Sequence, residues 1–98
     1  MTIECTKNGT QLTIALNGRL DTTTAPLLEA EFKQNVAGMT DVIFDFAELA
    51  YLSSAGLRVL LAAQKIMNKQ GSMVVRNVNE TIAEIFEITG FIDVLTIE

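Results

Sequence analysis

The run Tyr51-Leu52-Ser53-Ser54-Ala55-Gly56-Leu57-Arg58-Val59-Leu60-Leu61 holds the two side chains with the clearest chemical use, the hydroxyls of Ser53 and Ser54. They fall where a strand-like run gives way to a long apolar-periodic helix. The first backbone N–H groups of a helix lack intrahelical partners, and either serine can cap them. A phosphate on such a hydroxyl would be favoured by the positive end of the helix dipole, yet it would add about −1.5 to −2 charges to the surrounding surface. The fold would tolerate that change and an interface would not. Ala55 and Gly56 lack bulk, so another molecule can approach the backbone closely there.

The other candidates are carboxylates and one thiol. By spacing, Asp21 reads as a loop carboxylate supporting the helix start in Asp21-Thr22-Thr23-Thr24-Ala25-Pro26. Asp45 interrupts the apolar run Val42-Ile43-Phe44-Asp45-Phe46; it is either a satisfied structural carboxylate or a support for the loop carrying Ser53 and Ser54. Cys5 is the only cysteine and reads as a packed strand residue. With no histidine, the usual zinc sets and the Ser-His-Asp and Cys-His nucleophile arrangements are out of reach. No phosphate-cradling glycine motif or nucleophile elbow occurs. The expectation is a binding module with no catalytic residue, no metal and no cofactor of its own.

The elements that must position these groups can be placed by periodicity. Asn8-Gly9 suits a tight antiparallel hairpin between strands over residues 3–7 and 11–17, and in the second strand Leu12, Ile14 and Leu16 alternate with Thr13, Ala15 and Asn17. Pro26 suits the first turn of a helix in which Leu28, Phe32 and Val36 share a face with Leu27 beside them, ending at Gly38. Residues 42–46 read as a central strand. From Leu57 to about Gln70, Val59, Leu60, Ala62, Ala63, Ile66 and Met67 form an apolar face, while Arg58, Lys65 and Lys69 form a basic stripe opposite. Residues 72–76 make a fourth strand, Asn77 or Asn79 caps a third helix ended by Gly90, and residues 94–97 make a closing strand.

The order β-β-α-β-α-β-α-β predicts one α/β domain over residues 1–98. Its mostly parallel mixed sheet of about five strands has an antiparallel N-terminal edge strand and helices mainly on one face. Loops at the carboxyl ends of the parallel strands would then gather Asp21, Thr22, Asp45, Ser53 and Ser54 at one edge. A net charge of −5 with scattered Lys and Arg argues against direct nucleic-acid binding. No signal-peptide pattern opens the chain and no apolar run approaches a membrane span, so a cytoplasmic protein, without membrane insertion and monomeric, is expected.

The order of elements, the segment Leu16-Asn17-Gly18-Arg19-Leu20-Asp21-Thr22-Thr23-Thr24-Ala25-Pro26 and the run Tyr51–Leu61 resemble the STAS-domain family of bacterial anti-sigma-factor antagonists over essentially the whole chain. The resemblance implies a serine phosphorylated by a partner anti-sigma factor that is a serine kinase, and reset by a metal-dependent serine phosphatase. Only the unmodified form would bind the anti-sigma factor and release its sigma factor. Setting the family's Asp-Ser-Ser-Gly-Leu against Ser53-Ser54-Ala55-Gly56-Leu57 implies Ser54 as phosphoacceptor, with Ser53 the second choice. Ser53 stands where the family has Asp, and Ala55 where a second Ser often follows. The implied partner-binding edge comprises Asp21, Thr22, Ser53, Ser54, Ala55, Gly56 and Arg58, with Asp45 as structural support. The alternative is a STAS accessory subunit of a transporter or of a stress-signalling assembly.

Overall fold

The computed structural model describes residues 1–98 as one four-stranded mixed sheet with three helices against it. The elements are β1 (Thr2–Asn8), β2 (Gln11–Leu20), α1 (Ala25–Asn35), β3 (Asp41–Leu52), α2 (Ser54–Gln70), β4 (Ser72–Arg76) and α3 (Glu80–Thr89), followed by a 3-10 turn at Phe91–Asp93. Strand order in the sheet follows the chain, β1-β2-β3-β4, with β1 antiparallel to β2 and the other pairs parallel.

Asn8 pairs with Gln11, so the hairpin loop is Gly9-Thr10, one residue later than the Asn8-Gly9 turn expected. Gly9 takes the positive φ, +63°, that such a turn needs at its first central position. The alternation in β2 holds: Leu12, Ile14 and Leu16 are buried, while Thr13 and Ala15 remain half-buried on the other face. A single core of these residues, Phe44, Phe46, Leu49 and Leu52 from β3, and the apolar sides of the three helices fills one face of the sheet. Leu27 is not part of it, being 56% exposed on the outer side of α1.

β3 has 12 residues, more than twice the expected length, and its register explains why. Against β2 it shifts between Ala15 and Asn17 and again between Gly18 and Arg19, each time with an extra residue on β3. These bulges put Phe46, Leu49 and Leu52 on the core face three residues apart. Spacing of three masks the two-residue period of a strand.

On α2 the buried face departs from the one expected, and Leu57 joins the core. Ala62 is exposed, while Gln64 is buried, donating to Asn68 Oδ1 at 2.8 Å with its own Oε1 unpaired. The helix leaves through Gly71, where a Cβ would lie 1.8 Å from the Thr40 carbonyl oxygen. The closing strand shrinks to one parallel bridge between Ile97 and Val75. After Gly90 (φ +80°) the 3-10 turn carries the chain on, and Leu95 N–H donates to Phe91 C=O at 2.9 Å as Leu95 enters the core. Only Thr96–Glu98 are left to run along β4, so the sheet has four strands and not five.

Candidate functional site

β2 and β3 stay paired as far as Leu20 and Leu52, and the Ser53 N–H then donates to the Leu20 carbonyl at 2.9 Å. The loops beginning at Asp21 and at Ser53 therefore leave the sheet side by side. This one register brings Asp21 and Thr22 to the start of α2.

The Asp21 loop is held by its own hydrogen bonds. Asp21 Oδ1 accepts from the Thr23 hydroxyl at 2.8 Å and from the backbone N–H groups of Thr23 and Thr24 at 3.0 and 3.1 Å. Thr24 Oγ1 donates to the Arg19 carbonyl and accepts from the Asp21 N–H, both at 2.8 Å. Thr24 is the N-cap residue of α1 without capping by its own side chain; the Asp21 carboxylate ties down the entry instead. These donors, the Thr23 hydroxyl first, hold the Asp21 carboxyl below its ordinary value. Asp21 is thus an anion at neutral pH, and Arg19, with Nε 3.9 Å from its Oδ2, is too distant and exposed to be the main cause.

At α2 the two serines divide. Ser53 is the N-cap, with extended backbone, half-buried, its Oγ accepting from the Gly56 N–H at 3.3 Å. Ser54 is the first helical residue, exposed, with its hydroxyl engaged by no other group. Ala55 and Arg58 line a groove of about 300 Å³ between the two helices, together with Thr22, Ala25, Pro26, Glu29 and Val59. Arg58 is exposed one turn below Ser54.

Gly56, expected among the partner-binding residues, is buried. A Cβ there would sit 2.7 Å from Leu20 Cγ and from Leu52 Cδ1, so Gly56 lets the start of α2 rest directly on the strand ends.

Asp45 also lies elsewhere. It is mid-strand in β3, seven residues and about 20 Å before Leu52 at strand rise, because β3 runs on past its bulges. Its Oδ1 accepts from Asn77 Nδ2 at 2.9 Å and from the Ala47 N–H at 3.0 Å, and these contacts hold its carboxyl low. Asp45 therefore ties the β3 bulge to the β4–α3 loop, where Asn77 takes a left-handed φ of +59°; it does not touch the serine loop.

Two residues of this end were not anticipated. The Arg19 guanidinium lies 4.2 Å from the Tyr51 ring centroid, on the sheet face opposite the core. Arg19 and Tyr51 are partners in the β2–β3 register. Only a register that includes both bulges pairs them, and apolar periodicity carries no such signal.

A model of the STAS domain matches residues 2–98. BtrV of Bordetella bronchiseptica, described as a candidate anti-sigma factor antagonist, is 38% identical over 88 residues, covering 88% of this chain and 76% of BtrV. The anti-sigma-B factor antagonist of Bacillus subtilis is 26% identical over 96 residues, covering 97% of this chain and 88% of that protein. The structure of the Bacillus cell fate determinant SpoIIAA in its phosphorylated form superposes with a TM-score of 0.78 at 18% identity, covering 99% of this chain and 91% of that one.

Proposed function

This chain belongs to the STAS domain family, and from that premise we propose that it is an anti-sigma factor antagonist switched by phosphorylation of Ser54. In the unmodified form it binds an anti-sigma factor that is also a serine kinase, and so frees the sigma factor. Transfer of the γ-phosphoryl group of ATP, held by the kinase, to Ser54 Oγ releases ADP and the hydroxyl proton and ends the association, and a serine phosphatase restores it by hydrolysis to free serine and inorganic phosphate. Transcription is controlled without contact with nucleic acid, and the protein acts as a cytoplasmic monomer.

The observation that carries this reading is the contrast between the serines. Ser53 Oγ is tied into the helix cap, while the Ser54 hydroxyl is exposed and unengaged at the positive end of α2. Around it, Thr22, Ala55 and Arg58 border the groove, and the Asp21 loop stands beside it. Docking covers this surface and removes it from water. A phosphate on Ser54 would add negative charge beside the anionic Asp21, and desolvating both is costly at a contact surface. The fold is spared, since Ser54 has no internal contact to lose.

The test uses wild type, Ser54→Asp and Ser54→Ala with an anti-sigma kinase of the source organism. Wild type and Ser54→Ala should bind, and Ser54→Asp should bind at least tenfold more weakly at an unchanged melting temperature. Phosphate should be found by mass spectrometry on Ser54 in wild type and be absent from Ser54→Ala. Equal binding of all three proteins would remove charge gating, and phosphate on Ser53 would reassign the acceptor.

A further inference from the structure

We propose that the outer face of α3 and the 3-10 turn is a second protein-docking surface, whose occupant is a cationic amphipathic segment of a partner protein. The inference does not depend on Ser54.

Charge is divided unevenly along the chain. Residues 1–76 contain seven basic residues and seven acidic ones, and so carry no net charge. From Asn77 onward Glu80, Glu84, Glu87, Asp93 and Glu98 are joined by no Lys or Arg, and this last stretch therefore carries the whole net charge of −5. Glu98 alone among them is paired, with Arg76 Nε at 2.8 Å.

The same stretch also exposes three large apolar side chains. Ile88 is 85% exposed, Ile92 45% and Val94 44%, three of the five large hydrophobic residues exposed on the molecule and all within seven residues of sequence. Isolated apolar residues on a surface are ordinary, whereas a cluster rimmed by charge marks a contact site. Glu84, Glu87 and Asp93, all exposed, supply that rim. Asn79 Nδ2 donates to the Leu49 carbonyl where α3 begins, and the chain rejoins the sheet with Ile97 beside Val75, level with Phe44, so the α3 segment runs back against the direction of β3. Ile88 and Ile92 therefore lie toward the end of the molecule away from Ser54.

The charge selects the occupant. An isologous contact between two copies would set two such acidic stretches face to face. Anionic lipid and nucleic acid are repelled for the same reason. A protein segment with an apolar stripe for Ile88, Ile92 and Val94, flanked by Lys or Arg for the acidic rim, satisfies both chemistries at once.

The test is a backbone-amide NMR titration of the full chain with a designed amphipathic helical peptide of leucine and lysine, and with its leucine–glutamate counterpart. Shifts on adding the lysine peptide should be confined to Glu84–Leu95. Binding should weaken about tenfold in Ile88→Ser and several-fold when salt is raised, and be unchanged in Ser54→Asp. Ile88 is outside the core, so Ile88→Ser should melt as wild type does. Shifts spread elsewhere, equal binding of the glutamate peptide, or no binding would overturn the proposal. Concentration-dependent self-association of the protein alone, abolished by Ile88→Ser, would also overturn it by assigning the face to a second copy.

Discussion

Ser53 and Ser54 are chemically identical and structurally opposite: one hydroxyl closes the helix start and the other faces solvent. Ser53→Ala should therefore cost about 1 kcal/mol and lower the melting temperature by roughly 4–8 °C, whereas Ser54→Ala should shift it by no more than a few degrees. Thermal unfolding of the two variants side by side checks this, and equal losses would contradict the division of roles. Asp21 and Asp45 give a second residue-level expectation. Both carboxyls are held low in the fold, Asp21 chiefly by the Thr23 hydroxyl and Asp45 chiefly by Asn77. Their contribution to stability is complete above the unfolded carboxylate value of about 3.9 and is lost as pH falls through the lower folded values. Stability should thus decline below about pH 4, and Asp45→Asn should make that decline shallower in denaturant titrations across acid pH. An unchanged slope would show that Asp45 is not among the groups responsible. At this scale the sequence was informative wherever a residue sits beside a marker of its own: Ser53 and Ser54 at a helix start, Asp21 before a threonine run and Pro26. Arg19 and Tyr51 have no such marker, since their stacking depends on how two distant segments align.

Among the elements, the helices were legible because each has an apolar stripe with a recognisable start or stop, as with Asn79 capping the start of α3 by accepting from the Ile82 N–H, and Gly90 ending it. β3 was legible only to Phe46, because its bulges replace alternation with a spacing of three. The fifth strand failed for the opposite reason. Residues 94–97 have the β-branched character of a strand, but anchoring of Leu95 in the core bends the chain first. The α2–β4 junction is set by contact and not by conformational preference: Gly71 has an extended φ of 171° that any residue can adopt, yet no Cβ fits against Thr40. Gly71→Ala should consequently cost about 2 kcal/mol or more, lowering the melting temperature by roughly 10 °C. Gly90→Ala meets open space and carries only the left-handed backbone penalty of about 1 kcal/mol. A melting comparison of the two in which Gly90→Ala proves the more damaging would count against this view of the junction.

For the whole molecule, fold class was readable because the alternation of short apolar runs with helical periodicity admits few right-handed arrangements. The uneven charge of the last stretch was equally present in the sequence, but it acquires meaning only once Ile88 and Ile92 are seen to lie outside the core. That stretch is also the most lightly held part of the sheet: Thr96–Glu98 join β4 through the Val75 N–H to Thr96 and the Glu98 N–H to Val75, each 2.9 Å. Amide exchange should accordingly be faster at Glu98 than throughout the β2–β3 ladder, and uniform exchange across both would indicate a fold that opens only as a unit. The agreement between chain order and strand order has a further consequence for synthesis. As the chain leaves the ribosome, each new strand meets the exposed edge of a sheet already laid down and need not be inserted between earlier ones. Once Arg76 has emerged, the β2–β3 register and α2 that position Ser54 are complete, and α3 closes over the core last.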